Sequence, residues 1–467
     1  DLYELTMIQG YYRCHENHEV VFDMFFRRQP FDGGFTVFAG VDDLIDRLEQ
    51  FSFSDEDIDY LRTVGLFEDG FLEYLSDFKF TGEVHAVPEG SIVFPNEPLI
   101  RVHASLIEAQ LIEGMLLNTI NFQTLIATKA ARVYCASNKG LILEFGLRRA
   151  QGQDGAMSAS RAAFIGGAAA TSNTLAGKRY RIPVKGTMAH SWVMAFSSEL
   201  ESFQQYAELY PEATILLIDT YSTLGSGIEN AITVGKELKK HGHNFGVRLD
   251  SGDLEYLSKQ VRRRLDEAGL PNATITASNE LNEEIIHQLI TSGSPIDSWG
   301  VGTNMVTGGR DSSLTGVYKL AAKGNGDLQP AIKISNQPAK TTNPGIKQVY
   351  RFRDAQNSPL ADLIALESED VSIGPRYTFN HPDLSARRFD MAHYSSIEPL
   401  LRQQMRDGRR VTERKSLQEL QEYCLASLDQ FDETFKRIIN PHIYKVSLSD
   451  SLASMKRELI NRYTAEI

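Results

Sequence analysis

Cysteine is scarce in this chain of 467 residues: Cys14, Cys135 and Cys424 are odd in number and far apart. That excludes a disulfide framework and fits a reducing compartment. No apolar run approaches the roughly 18–20 residues that a membrane-spanning helix needs. The opening segment, DLYELTMIQG, carries two acids where a secretory leader would carry bases, so the expected location is cytoplasmic. Basic charge is also short. Lys+Arg 48 against Asp+Glu 61 leave a net charge of -13, which gives no global footprint for a nucleic-acid partner. No GxxxxGK[ST] occurs, so a P-loop is excluded. Cys14, His15 and His18 lie close together, but no second Cys/His cluster completes a zinc site, and they are assigned no function.

What is present is the balance of a globular protein, 42% hydrophobic and 23% charged, long enough for two or three domains. Charge is distributed unevenly. Residues 51–80 hold eight acids against Arg62 and Lys79, the pattern of a solvated helical face. Residues 148–185 run the other way, with Arg148, Arg149, Arg161, Lys178, Arg179, Arg181 and Lys185 against Asp154 alone. A local basic patch on an acidic protein points to an anionic small molecule focused into a cleft.

The β-prone runs VVFDMFF (20–26), GEVHAV (82–87), SIVFP (91–95) and LIRVHA (99–104) predict an α+β sandwich over 1–120, completed by 321–375, and strands GVYKL, AIKIS and KQVYRF resume from 316. The long apolar-periodic stretch 106–130 reads as buried helix. From residue 140 a regular alternation begins. Strands end near Phe145, Thr187, Asp219, Asp250, Ser278 and Gly302, with helical patterns between them. Spacing of this kind suits βα units and predicts an α/β fold, an irregular or incomplete barrel over 121–320. Residues 376–467 read as a C-terminal helical region.

Chemistry gathers where these strands hand over to loops. Arg148 and Arg149 follow the first strand, Thr187 and His190 the second. Asp219 ends the third, Arg248, Asp250 and Asp253 surround the end of the fourth, Asn279 follows the fifth, and Gly302 with Thr303 the sixth. In barrel enzymes such loops form the active-site face. Singly, each has a plain reading as an ion pair, a turn or a structural histidine; six in succession are harder to dismiss. RLDSGD (248–253) sets one cation beside two carboxylates, suited to an anionic substrate and a Mg2+ held through oxygen by Asp250 and Asp253. It equally reads as a helix start capped by Asp250 or Ser251. GVGTN (300–304) is a turn whose bare amides suit a phosphate.

Longer segments carry a resemblance. GTMAHSW (186–192), EFGLRRAQGQDGAMSASRAAFIGG (144–167), FDGGFTVFAG (31–40), VPEGSIVFPNEPL (87–99), DTYSTLGSGIENA (219–231), VRLDSGDL (247–254) and VGTNMVT (301–307) resemble nicotinate phosphoribosyltransferases, in the same order along the chain. The resemblance implies an irregular α/β barrel joined to a sandwich domain, working as a homodimer with its active site at the subunit interface. It implies ATP-assisted joining of nicotinate to 5-phosphoribosyl-1-pyrophosphate, with Mg2+, giving nicotinate mononucleotide and pyrophosphate on a route to NAD.

By the same resemblance His190 is the residue phosphorylated by ATP, Thr187, Arg248 and Tyr3 meet nicotinate, and Thr303 meets the phosphoribosyl donor. Asp219 and Asp250 match acids near the ribose and metal, and Arg148 matches a phosphate contact offered across the dimer. Ser222 departs from the pattern, where an acid is expected. A nicotinamide-specific enzyme would want an acid at Asn173, so the neutral residue there favours nicotinate. A catalytically inactive homologue is the reading from another class, and retention of His190, Arg248, Asp250 and the GVGTN turn together argues against it.

Overall fold

The computed structural model describes residues 1–374, 376–382 and 387–465. The chain divides into two compact units, Asp1–Leu125 with Ser313–Ile467, and Ile126–Ser312.

The second unit is built on a six-stranded sheet. Its strands are β1 (Leu141–Glu144), β2 (Ala170–Thr171), β3 (Ile215–Leu217), β4 (Gly246–Leu249), β5 (Thr274–Ala277) and β6 (Ser298–Val301). They lie in the order β2-β1-β6-β5-β4-β3, and every pair is parallel. β2 and β3 are its edges. Parallel strands covered on both faces are apolar throughout, and here Ile142, Leu216, Val247, Ile275, Trp299 and Val301 are all buried. Helices fill the crossovers, and their starts are written in the sequence. Asn173, Ser198, Asp253 and Asn282 each cap a helix by accepting a backbone N–H two or three residues into it. The expected strand ending near Thr187 is reduced to a single parallel bridge between Thr171 and Val184. The two-residue β2 is what precedes it.

The first unit carries antiparallel sheets. In one, strands Gln329–Pro330, Gly316–Gly324, Glu19–Phe26, Ile100–Ser105, Glu83–Ala86, Arg402–Arg406 and Arg409–Arg410 follow one another, each antiparallel to the next. A six-stranded sheet contains Lys347–Arg353 and Pro359–Leu366, with Val446–Leu448 parallel to the latter. The helical reading of 376–467 is therefore corrected. Helices Leu417–Asp429 and Asp450–Ala465 are there, but so are strands such as Tyr377–Asn380, Ser396–Pro399 and Arg402–Arg406. These are short and mostly half-exposed, so they lack the apolar signal by which strands are recognised.

This unit buries a charge cluster. Arg351 donates to both carboxylate oxygens of Asp362 (3.0 and 2.6 Å), and the Tyr444 hydroxyl donates to Asp362 at 2.9 Å. Glu97 is fully buried beside them, accepting from the Phe94 N–H at 2.9 Å. One guanidinium faces two carboxyl groups. Burial first, and then the neighbouring Asp362, push the Glu97 carboxyl well above the ordinary value of 4.5. The folded state thus holds a proton that the unfolded chain releases above 4.5, so this group's contribution to stability falls as pH rises from there through the folded value. Glu97→Gln should flatten the pH dependence of the urea midpoint between pH 5 and pH 8, roughly the window in which a raised carboxyl titrates. A variant as steeply pH-dependent as the parent would show that Glu97 is ionised when folded.

Candidate active site

Five of the six strand ends of the parallel sheet, all but that of β3, open on a cleft of about 420 Å³, lined by residues of the second unit alone. Arg148 and Arg149, Thr187, Arg248, Asp250, Asn279, Gly302 and Thr303 all contribute to its wall. Sequence reading also missed some of the lining. Ser278 and Glu280 face the cleft, and both flank Asn279 in the SNE segment that follows β5.

The first wall is cationic. After β1 the chain makes a 3-10 turn, Leu147–Arg149, which presents the Arg148 and Arg149 side chains exposed and without side-chain hydrogen bonds or ion pairs among the described residues. Gly146 opens this turn because nothing larger fits. A Cβ there would lie 2.2 Å from Cγ1 of Val306, on the short helix Thr303–Thr307 that borders the cleft.

The second wall is Arg248. Its Nη1 donates to the Thr187 hydroxyl and, at 3.3 Å, to the Met188 carbonyl, which joins the GTMAH segment to β4. Its Nη2 lies 3.5 Å from Asp250 Oδ1. Nε is buried and has no hydrogen-bond partner among the described residues. One edge of the guanidinium is therefore spent on Thr187 and Met188, while the Nε edge has donor capacity left.

The third group is a histidine between carboxylates. His190 Nδ1 pairs with the Thr220 hydroxyl at 3.1 Å, and Nε2 lies 3.7 Å from Asp250 Oδ2 and 4.0 Å from Asp219 Oδ1. Asp219 is a strut: its Oδ2 accepts from the Asp250 N–H at 3.0 Å and the Ser251 hydroxyl at 2.5 Å. Its Oδ1 is buried with no hydrogen-bond partner among the described residues. Asp250 Oδ1 in turn accepts from the Ser278 hydroxyl at 2.5 Å.

Asp253 and Asn173 stand away from the lining, Tyr3 lies in the other unit, and His190 and Asp219 are outside the lining but adjoin it at Asp250. Asp253, expected as a metal ligand, caps the helix Leu254–Glu267 by accepting from the Tyr256 N–H at 3.0 Å, and it does not line the cleft. It takes the capping place considered for Asp250 or Ser251. Asn173, expected beside the substrate, is turned inward and 2% exposed. Its Oδ1 caps the helix Thr174–Tyr180, and its Nδ2 donates to Ser160 Oγ at 3.3 Å. Tyr3 belongs to the first unit, on the helix Leu2–Arg13. Partial burial, with Glu113 and Glu4 nearby, pushes its phenol up to about 12. Ser222 is exposed at the start of the turn after β3, and no cluster of three or more acids, histidines or cysteines suited to a metal occurs among the described residues.

A parallel α/β sheet whose strand ends collect unpaired arginines, an anchored arginine and a histidine between two carboxylates defines a class: enzymes that handle anionic substrates at the sheet's C-terminal edge. Comparison with known proteins narrows it. The description "Nicotinate phosphoribosyltransferase (NAPRTase) family" matches residues 141–362, with the family's N-terminal domain matching 1–121 and its C-terminal domain 346–456. A nicotinate phosphoribosyltransferase of Bacillus subtilis (strain 168) is 43% identical over 473 residues, covering 100% of this chain and 96% of that protein. One of Homo sapiens is 33% identical over 98% of this chain and 96% of its own. The crystal structure of human nicotinic acid phosphoribosyltransferase superposes with a TM-score of 0.87 at 31% identity, covering 98% of this chain and 99% of that one. The chain belongs to the nicotinate phosphoribosyltransferase family.

Gly146→Ala should cost about 1–3 kcal/mol by forcing the arginine turn and the Thr303–Thr307 helix apart, as overpacking does. Chemical denaturation measures this directly. An unchanged midpoint would mean that Val306 yields freely.

Proposed function

We propose that this chain joins nicotinate to 5-phosphoribosyl-1-pyrophosphate, releasing nicotinate mononucleotide and pyrophosphate on a route to NAD. Family membership supports the reaction, and one observation within the cleft supports its polarity: Arg248 keeps an unspent Nε donor in a lining that it shares with Arg148 and Arg149.

In this reading Arg248 clamps the nicotinate carboxylate, and Thr187 holds Arg248 in place. The ring nitrogen attacks C1 of the ribose. The new C1–N bond forms as the C1–O bond to pyrophosphate breaks, and the electron pair leaves with pyrophosphate. Positive charge develops on the sugar and negative charge on the leaving group. Asp219 and Asp250 serve the first, Arg148 and Arg149 the second, with the Thr303 hydroxyl and Asn279 completing the donor pocket. No general base is required, because the pyridine nitrogen is already a nucleophile. Preference for nicotinate over nicotinamide rests on Arg248, since Asn173 faces inward.

Mg2+ would be held through Asp219 and Asp250. The buried, unpartnered Asp219 Oδ1 and the adjacent Asp250 Oδ2 are hard oxygen donors of the right kind. When bound, the metal supplies positive charge that stabilises the departing pyrophosphate. ATP would phosphorylate His190, whose Nδ1 is tied to Thr220 and whose Nε2 points to the carboxylates. We further propose a cytoplasmic homodimer in which Tyr3 and Arg148 reach the partner's site.

Pyrophosphate release that requires both nicotinate and the phosphoribosyl donor tests the reaction; release with nicotinamide instead would overturn the specificity. Arg248→Lys should raise KM for nicotinate about 10- to 100-fold and leave donor KM near its original value, since a point charge cannot reproduce a planar clamp. A loss confined to the donor would move Arg248 to the other substrate. Given ATP and Mg2+, the protein should acquire an acid-labile, base-stable phosphate. His190→Ala should lack it and lose the response to ATP while still forming product slowly. A phosphate retained in that variant would place the acceptor elsewhere.

A further inference from the structure

Glu144 ends β1, is 1% exposed and lies behind the cleft rather than in its lining. No lysine or arginine is paired with it among the described residues. A carboxylate buried without a cation is costly unless donors saturate it, and here they do so in two directions. Toward the arginine turn, Oε1 accepts from the Gly146 N–H at 2.5 Å. Toward the other side, Oε2 accepts from the Ser160 hydroxyl at 2.9 Å and the Thr171 hydroxyl at 2.5 Å.

Each of those hydroxyls is itself supplied with a proton donor. The Asn173 N–H donates to Thr171 Oγ1 at 3.0 Å, and Asn173 Nδ2 donates to Ser160 Oγ at 3.3 Å. Two relays therefore start at Asn173 and converge on one oxygen of Glu144. Thr171 also carries the backbone of the Thr187 segment: its N–H donates to the Pro183 carbonyl at 3.0 Å, and its own carbonyl accepts from the Lys185 N–H at 3.1 Å. Gly186, Thr187 and Met188 follow at once and line the cleft. One carboxylate thus ties together the turn that presents Arg148 and Arg149 and the segment that anchors Arg248.

We propose that Glu144 is a positioning residue that sets the spacing of these two walls, so that the arginine pair meets the pyrophosphate of the donor. The second half rests on the transferase reading above. Glu144 touches no substrate and acts through Gly146 and Thr171. Glutamine at this position can still accept from the Gly146 N–H, and the hydroxyls can turn to meet its amide. Alanine can do neither.

The test uses the full chain and two readouts. In hydrogen–deuterium exchange, Glu144→Ala should speed exchange roughly 10-fold or more in peptides covering 145–151 and 183–189, the effect of losing a charge-assisted hydrogen bond. The peptide covering β5 should be unchanged, and Glu144→Gln should restore most of the protection. Binding of inorganic pyrophosphate should weaken about 10-fold in Glu144→Ala and little in Glu144→Gln. Unchanged exchange at both segments, or a uniform rise across the sheet, overturns the positioning role. Local loosening with unaltered pyrophosphate affinity overturns the link to the donor. A parent protein that binds no pyrophosphate defeats the transferase reading and that link together, while exchange still decides whether Glu144 holds the walls. Should Glu144→Ala fail to fold, Thr171→Val removes one donor at constant shape. Exchange unaltered over 183–189 in that variant overturns the proposal equally.

Discussion

Parallel pairing is the constraint from which the cleft follows. When six strands run the same way, their C-terminal ends fall on one edge, and whatever residue each strand reaches last is delivered there. Register then selects which side chains share a face. Arg248 and Asp250 are two residues apart, and their 3.5 Å approach is what alternation along an extended chain provides. Gly300 and Gly302 share that spacing on β6 and its exit. A Cβ at Gly300 would come within 2.7 Å of Phe145, and one at Gly302 within 3.1 Å of its carbonyl oxygen. These glycines let β1 and β6 close on one another at the point where the cleft begins. A phosphate cradle at GVGTN is therefore secondary to packing.

Charge in the cleft is divided by how firmly each group is held. Asp219 is fixed by an amide and a hydroxyl, Asp250 by Ser278 and Arg248, and Arg248 by Thr187 and Met188. Such groups present their charge without reorganising when a reaction demands it, which is the condition for electrostatic stabilisation of a transition state. Arg148 and Arg149 are the opposite case. They are exposed on a short turn, free of partners among the described residues, and able to follow a ligand.

Much of this was legible in the sequence, and for a definite reason. Strands β1, β3, β4, β5 and β6 are short apolar runs ended by polar residues, so periodicity and chemistry marked the same places. The residues named from that pattern, among them Arg148, Arg149, Thr187, Arg248, Asp250, Asn279, Gly302 and Thr303, do line one cleft. What escaped was whatever lacks a period. β2 has two residues, too few to alternate, so the sequence signal falls on the PVKGT segment that follows it. Glu144 reads as the polar end of an apolar strand and reveals its role only through Ser160 and Thr171, which are distant in sequence. Several strands after residue 376 are short and half-exposed, and their sequences carry no strand period. Asp253 shows the limit of composition: the two acids of RLDSGD look alike, yet one faces the cleft and the other closes a helix end.

His190 is the histidine set between the carboxylates of Asp219 and Asp250. Its Nε2 sits within 4.0 Å of two carboxylates, one of them buried. A phosphoryl group on that imidazole would add a charge of roughly −2 to the same volume. Like charges at such separations repel strongly where water is thin, so the modified state demands cations beyond Arg248, which lies 3.5 Å from Asp250. Arg148 and Arg149 are the cleft-lining cations without partners among the described residues, and they sit on the turn that Glu144 tethers through Gly146. If His190 is phosphorylated as proposed, coupling of ATP to phosphoribosyl transfer would be electrostatic in origin. Phosphorylation would draw the arginine wall inward, toward the position where a departing pyrophosphate needs it, and loss of the phosphate would let it relax.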